Sequence, residues 1–294
     1  MNTNHPSLPC TEEDRAFIRD KLDSIDRSIA PPLEGDENET RVFRITDDKE
    51  NIIAGCVLKI NRWKTAYLDT LWVDEKHRRK GLGSALLFSA EKTARQSACR
   101  TMYLFTFDFQ ARPFYEKNGY TLCGTLGDFP KGHETYFLMK RLDRPSEGNV
   151  HKEDTSAPLG ILPGDDKDAG FIGDRLGEYN ASRVPRTHEY VPVSRKLLDG
   201  NGSMIAAIFS GVGTRSQFEI DMIWVDEPYR NQGIGSGLLA EAELEAKGHG
   251  AYLAFTAVLY DWQADFFRKN GYTAAFSLED CPEGHCMFVM EKRL

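Results

Sequence analysis

Two segments of the sequence, 78–83 and 230–235, have the residue types and spacing of a phosphate site. Both have the pattern Arg-x-x-Gly-x-Gly, between an apolar run typical of a buried strand and a stretch with the apolar spacing of a helix. Glycines at such a turn let the backbone approach a ligand closely, and the first turn of a helix leaves N–H groups unpaired. Because those N–H groups favour phosphate, each segment predicts a phosphate site.

A glycine turn between a strand and a helix does not always bind phosphate. No Gly-Lys-Ser/Thr follows at the spacing of a Walker loop, and the third glycine of a dinucleotide-binding turn is absent. A single copy would fit a plain strand-to-helix connection equally well. Two near-identical copies, each with an arginine three residues before the first glycine, favour the phosphate site.

The two segments belong to a longer internal repeat. Residues 71–87 and 223–239 are mostly identical, and the similarity returns at 114–120 and 266–272 and at the Lys-Arg-Leu near the end of each copy. The chain has 294 residues, which suits two domains of about 150. We therefore predict an N-terminal domain at 1–143, a polar linker without periodicity at 144–156, and a C-terminal domain at 157–294.

Within each predicted domain the pattern alternates between strands and helices. In the first we expect a helix at 11–29, strands at 41–45, 52–60 and 67–73, a long helix after the phosphate turn, a strand at 101–107, a short helix at 109–118, and closing strands at 120–123 and 135–142. The second repeats this order, with a helix around 169–180 and strands near 191–198 and 203–210. Each half is predicted to be an α/β unit built on one mixed, partly antiparallel sheet (α+β).

Composition and charge narrow the class of partner. The formal net charge is −8 and no basic block is present, which argues against nucleic acid or an anionic membrane as the main partner. No apolar stretch is long enough to span a bilayer and the N-terminus lacks a signal-peptide pattern, so a cytoplasmic protein is expected. The six cysteines have no paired spacing, and the best metal candidate, 281–286, has no cysteine in its counterpart 129–134. We predict reduced cysteines and no metal.

The pattern Arg-x-x-Gly-x-Gly after a hydrophobic strand resembles the acetyl-coenzyme A motif of the GNAT superfamily of N-acetyltransferases. The resemblance covers most of the chain, twice, and implies two tandem GNAT-like acyl-CoA N-acyltransferase domains with acetyl-CoA as the cofactor. It also implies that the acyl group lies between the strands ending at Val73 and Phe107. The acyl carbonyl is expected on N–H groups exposed by a bulge near Trp72 and Val73, or near Trp224 and Val225.

The resemblance assigns a set of cofactor-binding residues to each copy, mainly through the backbone N–H groups of the turn. In the first copy they are Trp72, Val73, Arg78, Arg79, Lys80, Gly81, Leu82, Gly83 and Ser84. In the second copy they are Trp224, Val225, Arg230, Asn231, Gln232, Gly233, Ile234, Gly235 and Ser236. The first turn is basic throughout 76–80, whereas the second has only an arginine, so phosphates should prefer the first copy.

Acetyl transfer to an amine needs a base for the amine and a proton for the leaving thiolate. The family commonly uses a tyrosine of its Phe-Tyr-x-Lys-x-Gly segment as the proton donor, and Tyr115 matches that position. A phenol, with a reference pKa of about 10, is a suitable acid for a thiolate. The second copy has Phe267 there, which cannot donate a proton. Tyr260 and Tyr272 are alternatives in that copy, but neither occupies the matching position.

For the general base the sequence offers three carboxylates. Asp69 and Asp221 are equivalent residues on the strands that face the acyl site, and Glu219 matches the spacing of the base in some family members. We take Asp69 as the base of the first copy and leave the other two open. An asparagine that commonly contacts the cofactor in the family is replaced by Asp108 and Asp261 here, so that role is not carried over.

Together these residues predict an N-acetyltransferase that moves acetyl from acetyl-CoA to the primary amine of a small molecule by direct attack. The N-terminal half is the expected catalyst. The C-terminal half is expected to bind coenzyme A, shape the acceptor site or mimic the partner of a homodimer. Two alternatives stay open: a protein amino group as the acceptor, or a coenzyme A-binding sensor without turnover. The expected assembly is a monomer or a homodimer.

Overall fold

The computed structural model describes residues 7–31, 38–143, 160–281 and 283–294. The predicted linker at 144–156 lies outside the described residues. Within them the chain forms two mixed sheets with helices packed against them, which confirms the predicted α/β class with mixed sheets.

The predicted elements occur in the predicted order in both halves, and two short strands that were not predicted, Ser7–Pro9 and Leu162–Pro163, precede the first helix of each half. The first half contains β1 (Ser7–Pro9), α1 (Glu12–Ile29), β2 (Glu39–Thr46), β3 (Ile52–Ile60), β4 (Thr65–Val73), α2 (Leu82–Gln96), β5 (Thr101–Phe107), α3 (Arg112–Lys117), β6 (Thr121–Gly127) and β7 (Glu134–Arg141). The second contains β8 (Leu162–Pro163), α4 (Asp166–Arg183), β9 (Val191–Pro192), β10 (Arg195–Leu198), β11 (Met204–Val212), β12 (Gln217–Val225), α5 (Ile234–Gly248), β13 (Leu253–Val258), α6 (Asp261–Lys269), β14 (Thr273–Glu279) and β15 (Cys286–Arg293). The strand expected at 191–198 is split near Ser194, whose hydroxyl accepts the N–H of Ser210 at 3.3 Å.

The first helix of each repeat begins at a capping box. The hydroxyl of Thr11 accepts the N–H of Asp14 at 3.2 Å, and the carboxylate of Asp14 accepts the N–H of Thr11 at 2.7 Å. Asp165 and Asp168 repeat the arrangement at α4. Each box satisfies two backbone N–H groups that a helix start leaves unpaired, so both helices have a fixed beginning.

Helices α2 and α5 bury the apolar face that their spacing predicted. The buried residues of α2 include Leu82, Leu86, Leu87, Ala90 and Ala94, and those of α5 include Ile234, Leu238, Leu239, Ala242 and Ala246. Both sets pack on one face of a sheet, and each fully buried leucine contributes about 1.5–3 kcal/mol. This packing fixes the start of each helix, and with it the glycine turn, at the end of a strand.

The two repeats exchange their first strand and first helix. Strand β1 pairs with β10 of the second sheet, and β8 pairs with β2 of the first. On α1, the fully buried Ile18 packs against Phe209 and Trp224 of the second sheet. On α4, the fully buried Ile172 packs against Val42 and Trp72 of the first sheet. Each sheet is therefore completed by a segment of the other repeat.

The exchange bears on the predicted division of the chain. The boundaries 1–143 and 157–294 describe the order of the repeats along the sequence, and as domain limits they stay a prediction. In space, residues 7–29 lie with the second sheet and 162–183 with the first. No sequence pattern indicates this exchange, because Trp72 and Trp224 are counterparts and either helix presents an isoleucine suited to both.

The sheets also meet directly, at β6 and β14. Two ion pairs related by the repeat join them: Arg141 lies 2.7 Å from Asp280, and Arg293 lies 2.6 Å from Asp128. Phe276 packs between them with its ring centroid 4.4 Å from that of Phe137. The repeats are thus related by an approximate twofold axis, as in a homodimer joined into one chain.

Gly124 and Phe276 are counterparts that face each other at this axis. A Cβ on Gly124 would lie 2.0 Å from Cγ of Phe276, so one position must be small where the other is large. We expect Gly124→Ala to lower the free energy of unfolding by about 3 kcal/mol, measured by urea denaturation. Gly127→Ala, on the same strand with open space around its Cβ, is the control. The double variant Gly124→Phe with Phe276→Gly exchanges the large and the small residue, so its free energy of unfolding should be close to that of the wild type. An unchanged urea midpoint in Gly124→Ala would contradict this packing.

Candidate active site

The glycine turns have the backbone of an anion cradle. In the first, Arg79 has φ 61° and Gly81 has φ 83°, both left-handed; Asn231 and Gly233, with φ 60° and 82°, repeat this in the second. Left-handed residues in such a turn aim N–H groups into one concavity. Nothing lies within 4 Å of a Cβ built on Gly81 or Gly233, so the cradle is open. The geometry of both turns fits a phosphate.

The arginine of each motif holds the turn in shape. The Nε of Arg78 donates to the carbonyl of Val73 at 3.1 Å, and the Nε of Arg230 donates to the carbonyl of Val225 at 2.9 Å. Each bond joins the turn to the end of the strand before it. In the structure each arginine therefore supports the turn through its backbone contact. Its contact with the cofactor stays a prediction.

The last glycine of each motif serves packing. A Cβ on Gly83 would lie 3.5 Å from the ring of Phe114, and one on Gly235 would lie 3.3 Å from Phe266. These glycines let the short helices α3 and α6 approach the starts of α2 and α5. The side chains of Leu82 and Ile234 are buried in the cores, so only their backbone N–H groups can face a ligand.

A V-shaped cleft opens between the two central strands of each half. Strands β4 and β5 run parallel and pair only over Thr65–Tyr67 with Thr101–Tyr103, after which they diverge. Strands β12 and β13 do the same, pairing over Gln217–Glu219 and 253–255. The cleft of the first half lies between the strands ending at Val73 and Phe107, where the resemblance placed the acyl group.

The bulge that the resemblance implied lies earlier in the strand than expected. Along β4, Thr70 pairs with Val57 and Leu68 pairs with Leu58, so Asp69 is the extra, unpaired residue. In β12 the same shift leaves Asp221 unpaired. Trp72 and Val73 pair regularly with β3, and Trp72 packs beneath α4, so the expectation of a bulge there was wrong. A bulge is a property of strand pairing, which a single sequence does not show.

Asp69, the predicted general base, has both carboxylate oxygens engaged. Lys59 Nζ lies 2.6 Å from Oδ1, and the hydroxyl of Thr70 donates to Oδ2 at 3.0 Å. Its counterpart Asp221 is paired with Arg15 of the exchanged helix α1. Because neither oxygen is free to meet an incoming amine, the role of Asp69 as base stays a prediction that these contacts disfavour.

Glu219 has an environment better suited to a base. Partial burial raises the pKa of its carboxyl above the usual range, and the negative charge of Asp221 raises it further. Its side chain still reaches solvent. A raised carboxyl pKa brings proton uptake closer to neutral pH. The counterpart of Glu219 is Tyr67, whose ring stacks on Tyr103 at 5.0 Å and Phe105 at 5.6 Å. The first cleft therefore has an aromatic wall where the second has a carboxylate.

Tyr115, the predicted proton donor, lies on α3 with 7% of its surface exposed. Its ring packs edge-on against Phe114 at 5.1 Å and Tyr120 at 5.9 Å. Burial raises the pKa of its phenol above the usual range, so the hydroxyl stays protonated at neutral pH. Phe267 occupies the same position in the second half and is 2% exposed.

The two tyrosines proposed as alternatives in the second half lie in different surroundings. Tyr272 donates to Glu243 at 2.9 Å, and Glu243 also pairs with Lys292 at 2.5 Å. Burial, and then the charge of Asp26 on α1, raise the pKa of Tyr260 to about 12. Tyr260 lines an open pocket of about 700 Å³ between the end of β13 and the β14–β15 turn.

The described residues contain no cluster of three or more His, Cys, Asp or Glu arranged for a metal ion, and all six cysteines are free. No helix in the described part of the chain is both long and apolar enough to cross a membrane.

Comparisons with known proteins relate both halves to one family. Residues 7–120 match the profile of the Acetyltransferase (GNAT) family, and residues 197–274 match that of the Acetyltransferase (GNAT) domain. A blasticidin-S acetyltransferase of Streptomyces morookaense is 38% identical over 91 residues, covering 31% of this chain and 67% of the relative. An acetyltransferase of Agrobacterium fabrum is 32% identical over 125 residues, covering 42% of this chain and 88% of the relative.

Solved structures give similar matches over one half of the chain. An acetyltransferase from Bacillus cereus is 32% identical, with a TM-score of 0.42, covering 46% of this chain and 95% of that one. A putative acetyltransferase from Agrobacterium tumefaciens is 24% identical, with a TM-score of 0.40, covering 47% of this chain and 98% of that one.

Proposed function

Because the chain belongs to the GNAT family of acetyltransferases, we propose that it acetylates the primary amine of a small molecule by direct attack, in the cleft of its first half. It is an acetyl-CoA-dependent acyltransferase. The observation that carries the acceptor class is the similarity to blasticidin-S acetyltransferase, at 38% identity.

Two features favour the first half as the catalyst. Its turn exposes Lys76, Arg79 and Lys80 around the cradle, whereas the second turn exposes Arg230 beside uncharged residues. Tyr115 supplies a phenol that the second half lacks at that position. On the acceptor class, the exchanged helix α4 covers the sheet beside the first cleft, as α1 covers the second sheet, and such cover suits a closed pocket for a small acceptor better than an open groove for a protein.

The groups of the first half fit the requirements of acetyl transfer. When bound, acetyl-CoA supplies the thioester. The N–H groups of the turn at 79–84 hold the phosphates, and the backbone freed at the Asp69 bulge is available to the carbonyl oxygen as negative charge develops there. With acetyl-CoA bound, Tyr115 would give its proton to the sulfur that leaves as the amine takes the acetyl group. The group that accepts the amine proton stays open: Asp69 is the candidate in the first half, and Glu219 lies in the cleft of the second.

A second candidate function applies to the C-terminal half alone. Its turn keeps the open cradle at Gly233, while Phe267 replaces the proton donor. These two features favour a sensor role for this half, in which it binds acetyl-CoA without turnover.

The test is a comparison of acceptors. The purified chain is supplied with acetyl-CoA and with blasticidin S, simple primary amines, or a lysine-containing peptide, and release of the coenzyme A thiol is followed. We expect kcat/KM for the small amines to exceed that for the peptide at least about tenfold, which corresponds to 1.4 kcal/mol. Preference for the peptide, or no turnover with any amine, would overturn the proposal.

A further inference from the structure

The exchanged helix α4 ends directly over the first cofactor turn. There the hydroxyl of Tyr179 donates to the carbonyl of Phe109 at 3.0 Å, in the segment that follows β5. The guanidinium carbon of Arg78 lies 5.2 Å from the centre of the Tyr179 ring, within cation–π range. Since Arg78 also binds the carbonyl of Val73, Tyr179 connects to the ends of both β4 and β5.

The next residue of α4 makes a second connection to the same cleft. Nε2 of Gln110 donates to Oδ1 of Asn180 at 2.7 Å. Oε1 of Gln110 in turn accepts the N–H of Phe107 at 2.8 Å, at the end of β5. Tyr179 and Asn180 together bridge the two arms of the V where it is widest, next to the phosphate cradle.

The second half lacks the contacts of Tyr179 at the matching place, whereas Asp26, the counterpart of Asn180, still interacts with Tyr260 after β13. Phe17 of α1 meets Trp224 edge-on at 6.0 Å, as Phe171 of α4 meets Trp72 at 6.0 Å, which aligns the two helices residue by residue. In this alignment Ile25 corresponds to Tyr179. An isoleucine side chain can neither donate a hydrogen bond to the segment after β13 nor form a cation–π contact with Arg230. The pocket of about 700 Å³ opens beside that segment.

We propose that Tyr179 and Asn180 are positioning residues for the first active site, so that the second repeat contributes to acetyl-CoA binding by the first. They act by fixing the distance between the ends of β4 and β5, and with it the cradle into which the phosphates fit. The inference rests on the proposed function only in placing acetyl-CoA in the first half. It predicts that catalysis by the first repeat depends on a helix encoded in the second.

The test uses the full chain with Tyr179→Leu, Tyr179→Phe and Asn180→Leu. Acetyl-CoA affinity is measured by calorimetry, together with KM for acetyl-CoA, kcat and the thermal midpoint. We expect Tyr179→Leu to raise Kd and KM for acetyl-CoA about tenfold, from the loss of the hydrogen bond to Phe109 and the cation–π contact with Arg78; the ring's other cation–π contact, with Arg183, lies within α4. The value of kcat at saturation should change less than about threefold, because no reacting atom is touched. Tyr179→Phe keeps the ring over Arg78 and should recover part of the affinity.

Two controls separate positioning from general destabilisation. Ile25→Leu places a leucine at the position of α1 that corresponds to Tyr179, and Asp174→Ala changes an exposed residue of α4. Both substitutions should leave KM for acetyl-CoA unchanged. Wild-type KM in Tyr179→Leu, or a fall in kcat that simply follows the thermal midpoint, would overturn the inference. If wild-type binding survives Gly81→Glu and is lost in Gly233→Glu, the proposed function fails instead, because acetyl-CoA is then held by the second half.

Discussion

Gly81→Glu should abolish acetyl-CoA binding by the first half and lower turnover more than about 100-fold. Gly81 is left-handed, with φ 83°, and a side chain there meets no atom within 4 Å, so a glutamate can be accommodated but extends into the cradle. Two like charges about 4 Å apart near a protein surface repel by about 4 kcal/mol, enough for a loss of more than 100-fold. Calorimetric titration with acetyl-CoA and a steady-state assay measure the two effects.

The repeat supplies a matched control for this substitution. Gly233→Glu introduces the same charge and the same backbone strain at φ 82°, in equally open space, so the cost to folding should be similar. It should leave most of the turnover intact. Gly81→Ala, which adds strain without charge, should weaken binding only modestly. Loss of turnover in Gly233→Glu alone would place the catalyst in the second half and reduce Tyr115 to a packing residue.

Tyr115→Phe should lower kcat about 100-fold, the lower end of what a general acid contributes, while the affinity for acetyl-CoA stays the same. The ring is tolerated because Phe267 fills the counterpart site with 2% of its surface exposed. Since burial raises the pKa of Tyr115 above the usual range, the phenol keeps its proton well into alkaline pH. The wild-type rate should therefore show no alkaline loss from this group at or below the ordinary tyrosine pKa of about 10.

The neighbouring Tyr120 provides the control for Tyr115. It is 2% exposed and its ring lies 5.9 Å from that of Tyr115. Tyr120→Phe removes a buried hydroxyl of the same core, so it should shift the thermal midpoint without a comparable change in kcat. Full activity in Tyr115→Phe would mean that another group protonates the leaving sulfur.

Local features of this fold were predictable from the sequence because neighbouring residues determine them. The apolar spacing of α2 indicated its buried face, the glycines indicated the turn, and the helix predicted at 11–29 is α1, Glu12–Ile29. The position of the bulge at Asp69 was not predictable from the sequence, because it depends on how β3 pairs with β4. Nor was the engagement of Asp69 by Lys59, which lies on the adjacent strand.

The exchange of helices escaped prediction for a different reason. Residues 7–120 match a GNAT family profile as one continuous stretch, so α1 reads as part of the first repeat. The side chain that decides its placement, Ile18, fits a tryptophan on either sheet. Duplication makes the two docking faces nearly equivalent, and the sequence pattern then cannot distinguish them.

The same exchange determines when each sheet can be completed while the protein is being synthesised. Domains generally fold as they leave the ribosome, at about 5–20 residues per second. Helix α1 is among the first segments made, but its docking strand β12 ends only at Val225, so it waits on the order of ten seconds for its partner. Meanwhile Trp72 lacks Ile172 and presents an apolar surface that α1 itself can cover. The first sheet therefore stays without its covering helix until α4 of the second repeat has been synthesised.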